Sequence, residues 1–144
     1  MSVKPIPEGF SNVIPFLVCK DTDNVIDFCK KVFGAKESHI SRDDKGIIMH
    51  ATIHIRDNAI MLSEGSERYP AQPAMLYIYT DNCDEYYKRA IDSGGVSLRE
   101  PTDEFYGDRS CGIADSSGNQ WWIATHTEDV SDEELIKRQQ QMKH

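Results

Sequence analysis

Three observations predict a mixed α+β fold built from two similar halves. A strand–turn–helix stretch recurs about sixty residues along the chain. Each copy is followed by segments that pair through tight turns. The apolar residues of the two helical stretches fall on single stripes. Val18-Cys-Lys-Asp21 leads into residues 22–33 and Gly34, and Ile78-Tyr-Thr-Asp81 leads into residues 82–93 and Gly94. Asp21 and Asp81 stand 60 positions apart, as do Gly34 and Gly94. Two copies at this spacing indicate a duplicated supersecondary unit, because a solenoid needs three or more repeats.

Each element has its own warrant. Residues 15–19 are short, apolar and bounded by Lys20-Asp21, so they predict a strand. The next stretch places Val25, Ile26, Cys29, Val32 and Phe33 on one helical stripe. Asp21 or Thr22 can cap its first turn, and Gly34 can take the left-handed position at its end. Residues 47–55 alternate, Asp57-Asn58 reads as a turn, and 59–63 return as a hairpin partner. Gly65, Pro70 and Pro73 mark 65–73 as a linker. In the second half the stripe is Cys83, Tyr86, Tyr87, Ala90 and Ile91, closed by Gly94-Gly95. Residues 110–114 form a strand, Ser116-Ser-Gly-Asn119 a turn, and 120–125 the returning strand. Ser131-Asp-Glu-Glu134 is a capping box that opens a terminal helix over about 131–142. The chain 1–144 therefore reads as one domain: a first module of about 10–64, the linker, a second module of about 74–127, and the helix.

Composition narrows the function. The chain has 144 residues, a formal charge of −8, 39% hydrophobic and 28% charged residues, which is a globular balance. That charge argues against nucleic acid, whose phosphates need a basic footprint, and against anionic membrane surfaces. The opening Met1-Ser-Val-Lys-Pro-Ile-Pro has no apolar core, so no secretory leader is expected. No apolar run approaches the roughly 20 residues of a membrane helix. Cys19, Cys29, Cys83 and Cys111 form no C-x-x-C pair and read as reduced thiols of a cytoplasmic protein.

Ile14-Pro-Phe-Leu-Val-Cys-Lys-Asp21 followed by Ile26-Asp-Phe-Cys-Lys-Lys-Val-Phe-Gly-Ala35 resembles the first module of the vicinal-oxygen-chelate superfamily, which covers glyoxalases, bleomycin-resistance proteins and dioxygenases. Met49-His-Ala51, Phe105-Tyr-Gly-Asp-Arg109 and Trp122-Ile-Ala-Thr-His-Thr-Glu-Asp-Val130 resemble its PhnB-like branch. The resemblance spans about residues 8–138. It implies two tandem βαβββ modules forming a curved mixed sheet around a cleft, in a homodimer. Metal-using relatives place one ligand near the start of each module's first strand and another on its last. Carried across, these positions are Ile14, Met61, Met75 and Trp122, and none is His, Glu or Gln. No metal or other cofactor is therefore expected. The methyltransferase label given to that branch also lacks its glycine-rich loop, since Val18-Cys-Lys-Asp21 runs straight into a helix.

Seven residues are candidates for ligand contact. His50, Thr52 and His54 share one strand face, with Met49, Ala51, Ile53 and Ile55 on the other. His50 and His54 lie about 13 Å apart by strand rise, too far to share a metal; His50 matches the relatives' His-Ala pair. Phe105 and Tyr106 can form a pocket wall. Arg109 can hold a carboxylate or phosphate, or pair with Asp108. Cys111 follows on the face of Arg109. Trp121 and Trp122 point to opposite faces, which puts Trp122 in the cleft with Tyr77 and Tyr79 beside it. His126 reads as a surface or capping residue. The expected function is binding of a small aromatic or anionic organic molecule in a metal-free cleft. The alternative is a metal-dependent lyase, isomerase or dioxygenase, and a third reading is a scaffold with a filled cleft.

Overall fold

The structure, a computed structural model, describes residues 2–142; the ends of the 1–144 span lie outside the described residues. The first half comprises β1 (Phe16–Cys19), α1 (Thr22–Phe33), β2 (Lys36–Arg42), β3 (Ile48–Ile55) and β4 (Asn58–Glu64). The second comprises β5 (Met75–Tyr79), α2 (Cys83–Asp92), β6 (Val96–Asp103), β7 (Asp108–Ala114) and β8 (Gln120–His126), followed by α3 (Asp132–Gln141). Each half forms its own four-stranded mixed sheet, in the orders β1-β4-β3-β2 and β5-β8-β7-β6. The first and last strands of each half pair in parallel and the others antiparallel. The predicted fold class holds, with two sheets in place of one continuous sheet.

The helical stripes pack as their spacing requires. Val25, Ile26, Cys29, Val32 and Phe33 are all buried, and Phe28 joins them. In α2, Cys83 and Ala90 are buried and Tyr86 and Tyr87 pack at the margin, but Ile91, which the predicted stripe included, is 37% exposed. Both helices cover the same side of their sheets. Phe33 of α1 stacks on Tyr86 of α2 at 6.1 Å and meets Trp121 of β8 at 5.4 Å, so one core joins the two halves.

The helix entries differ from expectation. Asp21 occupies the N-cap of α1 in a left-handed conformation (φ 57°) and makes no side-chain cap bond. Glu64, at the end of β4, does that work: its carboxylate accepts from the Thr22 N–H at 3.0 Å, the Thr22 hydroxyl at 2.7 Å and the Asp21 N–H at 3.2 Å. A carboxylate here also suits the positive end of the helix dipole. In the second half Thr125, at the end of β8, accepts from the Cys83 N–H at 2.8 Å, while Asn82 caps Glu85 N–H. Gly34 takes the predicted left-handed C-cap, φ 69°.

Two strands were not legible as such. β2 and β6 are exposed and polar, and bulges interrupt their pairing, so neither shows a period of two. The irregularity between Ser41 and Arg42 also shifts the start of β3: Ile48 is buried and Met49 is 64% exposed, against the predicted alternation. The β3–β4 turn falls on Arg56-Asp57, one residue before the expected Asp57-Asn58.

Candidate functional site

Register sorts the side chains of the second sheet. Tyr77 lies beside Trp122 and Trp122 beside Gly112, while Asp108 lies beside His126. Cross-strand partners share a face. That face therefore carries Tyr77, Tyr79, Asp108, Trp122 and His126, and the opposite one carries Arg109, Cys111, Trp121 and Ile123. Trp121 is fully buried beneath the helices. Trp122 is half-buried, and its Nε1–H donates to Gln120 at 3.0 Å. Its ring lies flat on the backbone of Gly112, where a Cβ would sit 2.6 Å from the indole. Only glycine permits that approach.

Asp108 is the centre of this face. It is 2% exposed. One carboxylate oxygen accepts from the hydroxyls of Tyr77 at 2.7 Å and Tyr79 at 2.8 Å, and the other pairs with His126 Nδ1 at 2.9 Å. His126 Nε2 in turn meets Asp129 at 2.7 Å. Burial alone would raise the Asp108 carboxyl, but the hydrogen bonds from His126, Tyr77 and Tyr79 outweigh it and hold the group below its usual range. Asp108 and Asp129 raise His126, whose two ring nitrogens each face one of these carboxylates. Burial and the bonds to Tyr106 and Asp108 push the Tyr77 phenol up, and the bond to Asp108 does the same for Tyr79. Both phenols stay neutral.

Tyr106 reaches this cluster from the β6–β7 turn, its hydroxyl 3.4 Å from that of Tyr77. Gly107 makes the turn possible: its φ is 99°, and a Cβ there would lie 2.3 Å from the Glu128 carbonyl oxygen. Phe105 sits edge-on to Tyr106 at 5.3 Å. Its carbonyl accepts from Arg138 at 2.9 Å, which pins α3 to the same turn.

Three predicted residues lie elsewhere. Arg109 projects to the helix side, where Asp84 of α2 binds it through two nitrogens at 2.7 and 3.1 Å and Asp103 adds a contact at 3.3 Å. Asp108 is not its partner. Cys111 is fully buried on that side too, and hydrogen bonding to Cys83 together with burial pushes its thiol up, so it is no nucleophile. His50 is half-buried on β3, with Phe16 at 5.9 Å and His39 at 5.8 Å between ring centroids. It belongs to the first sheet. Phe16 and Leu17 share with Met75, Leu76 and Tyr77 a crevice of about 390 Å³ between the edges of the two sheets.

Sequence reasoning undervalued Tyr79, Asp108 and His126. The signal was parity: Asp108 and Arg109 are neighbours on a strand and must face opposite ways.

The donors present do not fit a divalent metal. Among the described residues no three His, Cys, Asp or Glu side chains are placed to share an ion. Met61, Met75 and Trp122 offer thioether and indole groups, which suit such ions poorly, and β1 begins two residues after Ile14.

Residues 12–123 match the pattern of the Glyoxalase/Bleomycin resistance protein/Dioxygenase superfamily. An uncharacterized protein of Mycobacterium bovis is 26% identical over 132 residues, covering 84% of this chain and 87% of that one. The fold is similar to that of TioX from Micromonospora sp. ML1, with a TM-score of 0.69 and 21% identity over 81% of this chain and 98% of that one. It is also similar to a putative 3-demethylubiquinone-9 3-methyltransferase, PhnB protein, from Bacillus cereus, with a TM-score of 0.64 and 18% identity over 80% of this chain and 99% of that one.

Proposed function

Since the chain belongs to the Glyoxalase/Bleomycin resistance protein/Dioxygenase superfamily, we propose that it binds a small aromatic molecule, without a metal, on the face formed by Tyr77, Tyr79, Tyr106 and Trp122. The observation that carries this reading is the Asp108 network. A buried carboxylate orients two phenols whose rings stay 46% and 59% exposed, an arrangement that fixes aromatic surface in place at little entropic cost to a ligand. Trp122 supplies the stacking plane. The phenol oxygens give their hydrogens to Asp108 and keep lone pairs for a ligand donor.

The charge balance selects among ligands. Asp108 and Asp129 flank His126, and Arg109 is occupied on the other side of the sheet. The anionic ligand expected from Arg109 is not supported. A neutral or cationic aromatic fits, the latter through cation–π contact.

Within the superfamily, the Phe105-to-Arg109 and Trp122-to-Val130 stretches support the PhnB-like branch. The same reading has the protein as a cytoplasmic homodimer, with exposed Phe16, Met75 and Tyr77 as the surface a partner would cover.

The test is calorimetric titration with tryptamine, indole and indole-3-acetate. Tryptamine and indole bind more tightly than indole-3-acetate, and Trp122→Ala weakens them about tenfold. Binding indifferent to Trp122 overturns the site. Elemental analysis of protein purified without a tag is the second check: near-stoichiometric metal that survives dialysis overturns the metal-free reading.

A further inference from the structure

A second cavity lies where the two halves meet, and Trp122 takes no part in it. Its volume is about 470 Å³, within the roughly 300–1,000 Å³ of small-molecule sites. Phe33 and Ile60 line it from the first half, and Leu76, Ile78 and Tyr86 from the second. The Phe33 and Tyr86 rings are stacked, with 23° between their planes. Tyr77 and Tyr79 border it, so strand β5 separates this cavity from the aromatic face.

Ser11, Arg56, Asn58 and Thr80 interrupt the apolar lining. The Thr80 hydroxyl is buried and has no hydrogen-bond partner among the described residues, a costly state unless something else supplies one. Arg56 is the one charged residue of the lining, and it enters no ion pair among the described residues. Its backbone is unusual as well. Arg56 has φ 54° at the first position of the two-residue β3–β4 loop, where glycine is the usual occupant.

We infer that this seam cavity binds a small monocarboxylate with an apolar tail. The guanidinium takes the carboxylate, and the ring pair and aliphatic side chains take the tail. A chain with a formal charge of −8 repels anions in general, so a single arginine beside an apolar hollow makes the selection local. The volume accommodates roughly ten to fifteen non-hydrogen atoms.

Octanoate is the probe, and octanol its uncharged counterpart. Titration calorimetry of the full chain should give saturable octanoate binding. Arg56→Gly should weaken octanoate at least about tenfold and leave octanol unchanged. Glycine adopts φ 54° without strain, so this variant should melt no lower than the parent, which separates lost affinity from lost fold. Equal octanoate affinity in parent and Arg56→Gly overturns the inference, as does absence of saturation into the millimolar range. Octanoate affinity that falls as protein concentration rises also overturns it, because a second copy of the chain then occupies the seam.

Discussion

Asp108 is almost wholly removed from water, yet it accepts from two phenols and an imidazole. Hydrogen bonds to a charged group are each worth about 1.5–3 kcal/mol. Asp108→Ala leaves those donors without their acceptor and should cost about 2 kcal/mol or more, read as a lower urea midpoint. Asp108→Asn should recover part of that loss. The network also sets a pH dependence. His126 is raised in the fold by Asp108 and Asp129, so its contribution is complete below its ordinary value of 6.5 and is lost as pH climbs through the raised one. Asp108 is lowered, so its contribution is present above its ordinary 3.8 and is lost as pH falls through the depressed value. Urea midpoints of the parent should fall as pH rises above the ordinary histidine value of 6.5, and His126→Gln should flatten that decline. An equal decline in both proteins would remove His126 as its source. None of this network was legible locally. Asp108 and His126 are 18 positions apart and meet only through the β7–β8 register, whereas the adjacent Arg109 looked like the natural partner and faces the other way.

At the level of elements, the helix stripes and hairpins were readable because burial on one side imposes a period, 3.6 for a helix and two for a strand. β2 and β6 bury almost nothing, so nothing imposed a period on their residues. Helix capping was misassigned for a related reason. The acceptor for α1 is Glu64, 42 positions from the Thr22 N–H it serves, and a sequence window at the helix start cannot contain it. Glu64→Ala should destabilise by about 1–2 kcal/mol, and Thr125→Ala by about 1 kcal/mol. Asp21→Gly should be neutral or stabilising, since its left-handed backbone suits glycine and its side chain caps nothing. Thermal melts of the three variants give the ranking. Gly112→Ala places a methyl group inside the Trp122 ring and should lift the indole off the sheet, seen as a shift in tryptophan emission with a loss of about 1–3 kcal/mol.

Across the whole molecule, the sixty-residue offset is an average of several. Asp21 and Gly34 repeat at 60, but the helix starts Thr22 and Cys83, the cap acceptors Glu64 and Thr125, and the paired residues Met61 and Trp122 all repeat at 61. The duplication itself was visible in the sequence. How the copies join was not, since the joining contacts are long-range. The β7–β8 turn of the second half reaches into the first: Ser117 Oγ accepts from the Lys20 N–H at 2.8 Å, and the Asn119 amide lies 3.7 Å from Cys19 Sγ. Asp115 braces that turn through Ser117, Asn119 and Trp121. During synthesis on a ribosome, the amide of Lys20 must wait for 97 further residues before its partner exists. A nascent chain stalled ahead of residue 117 thus leaves the Lys20 amide, just past the end of β1, without its acceptor.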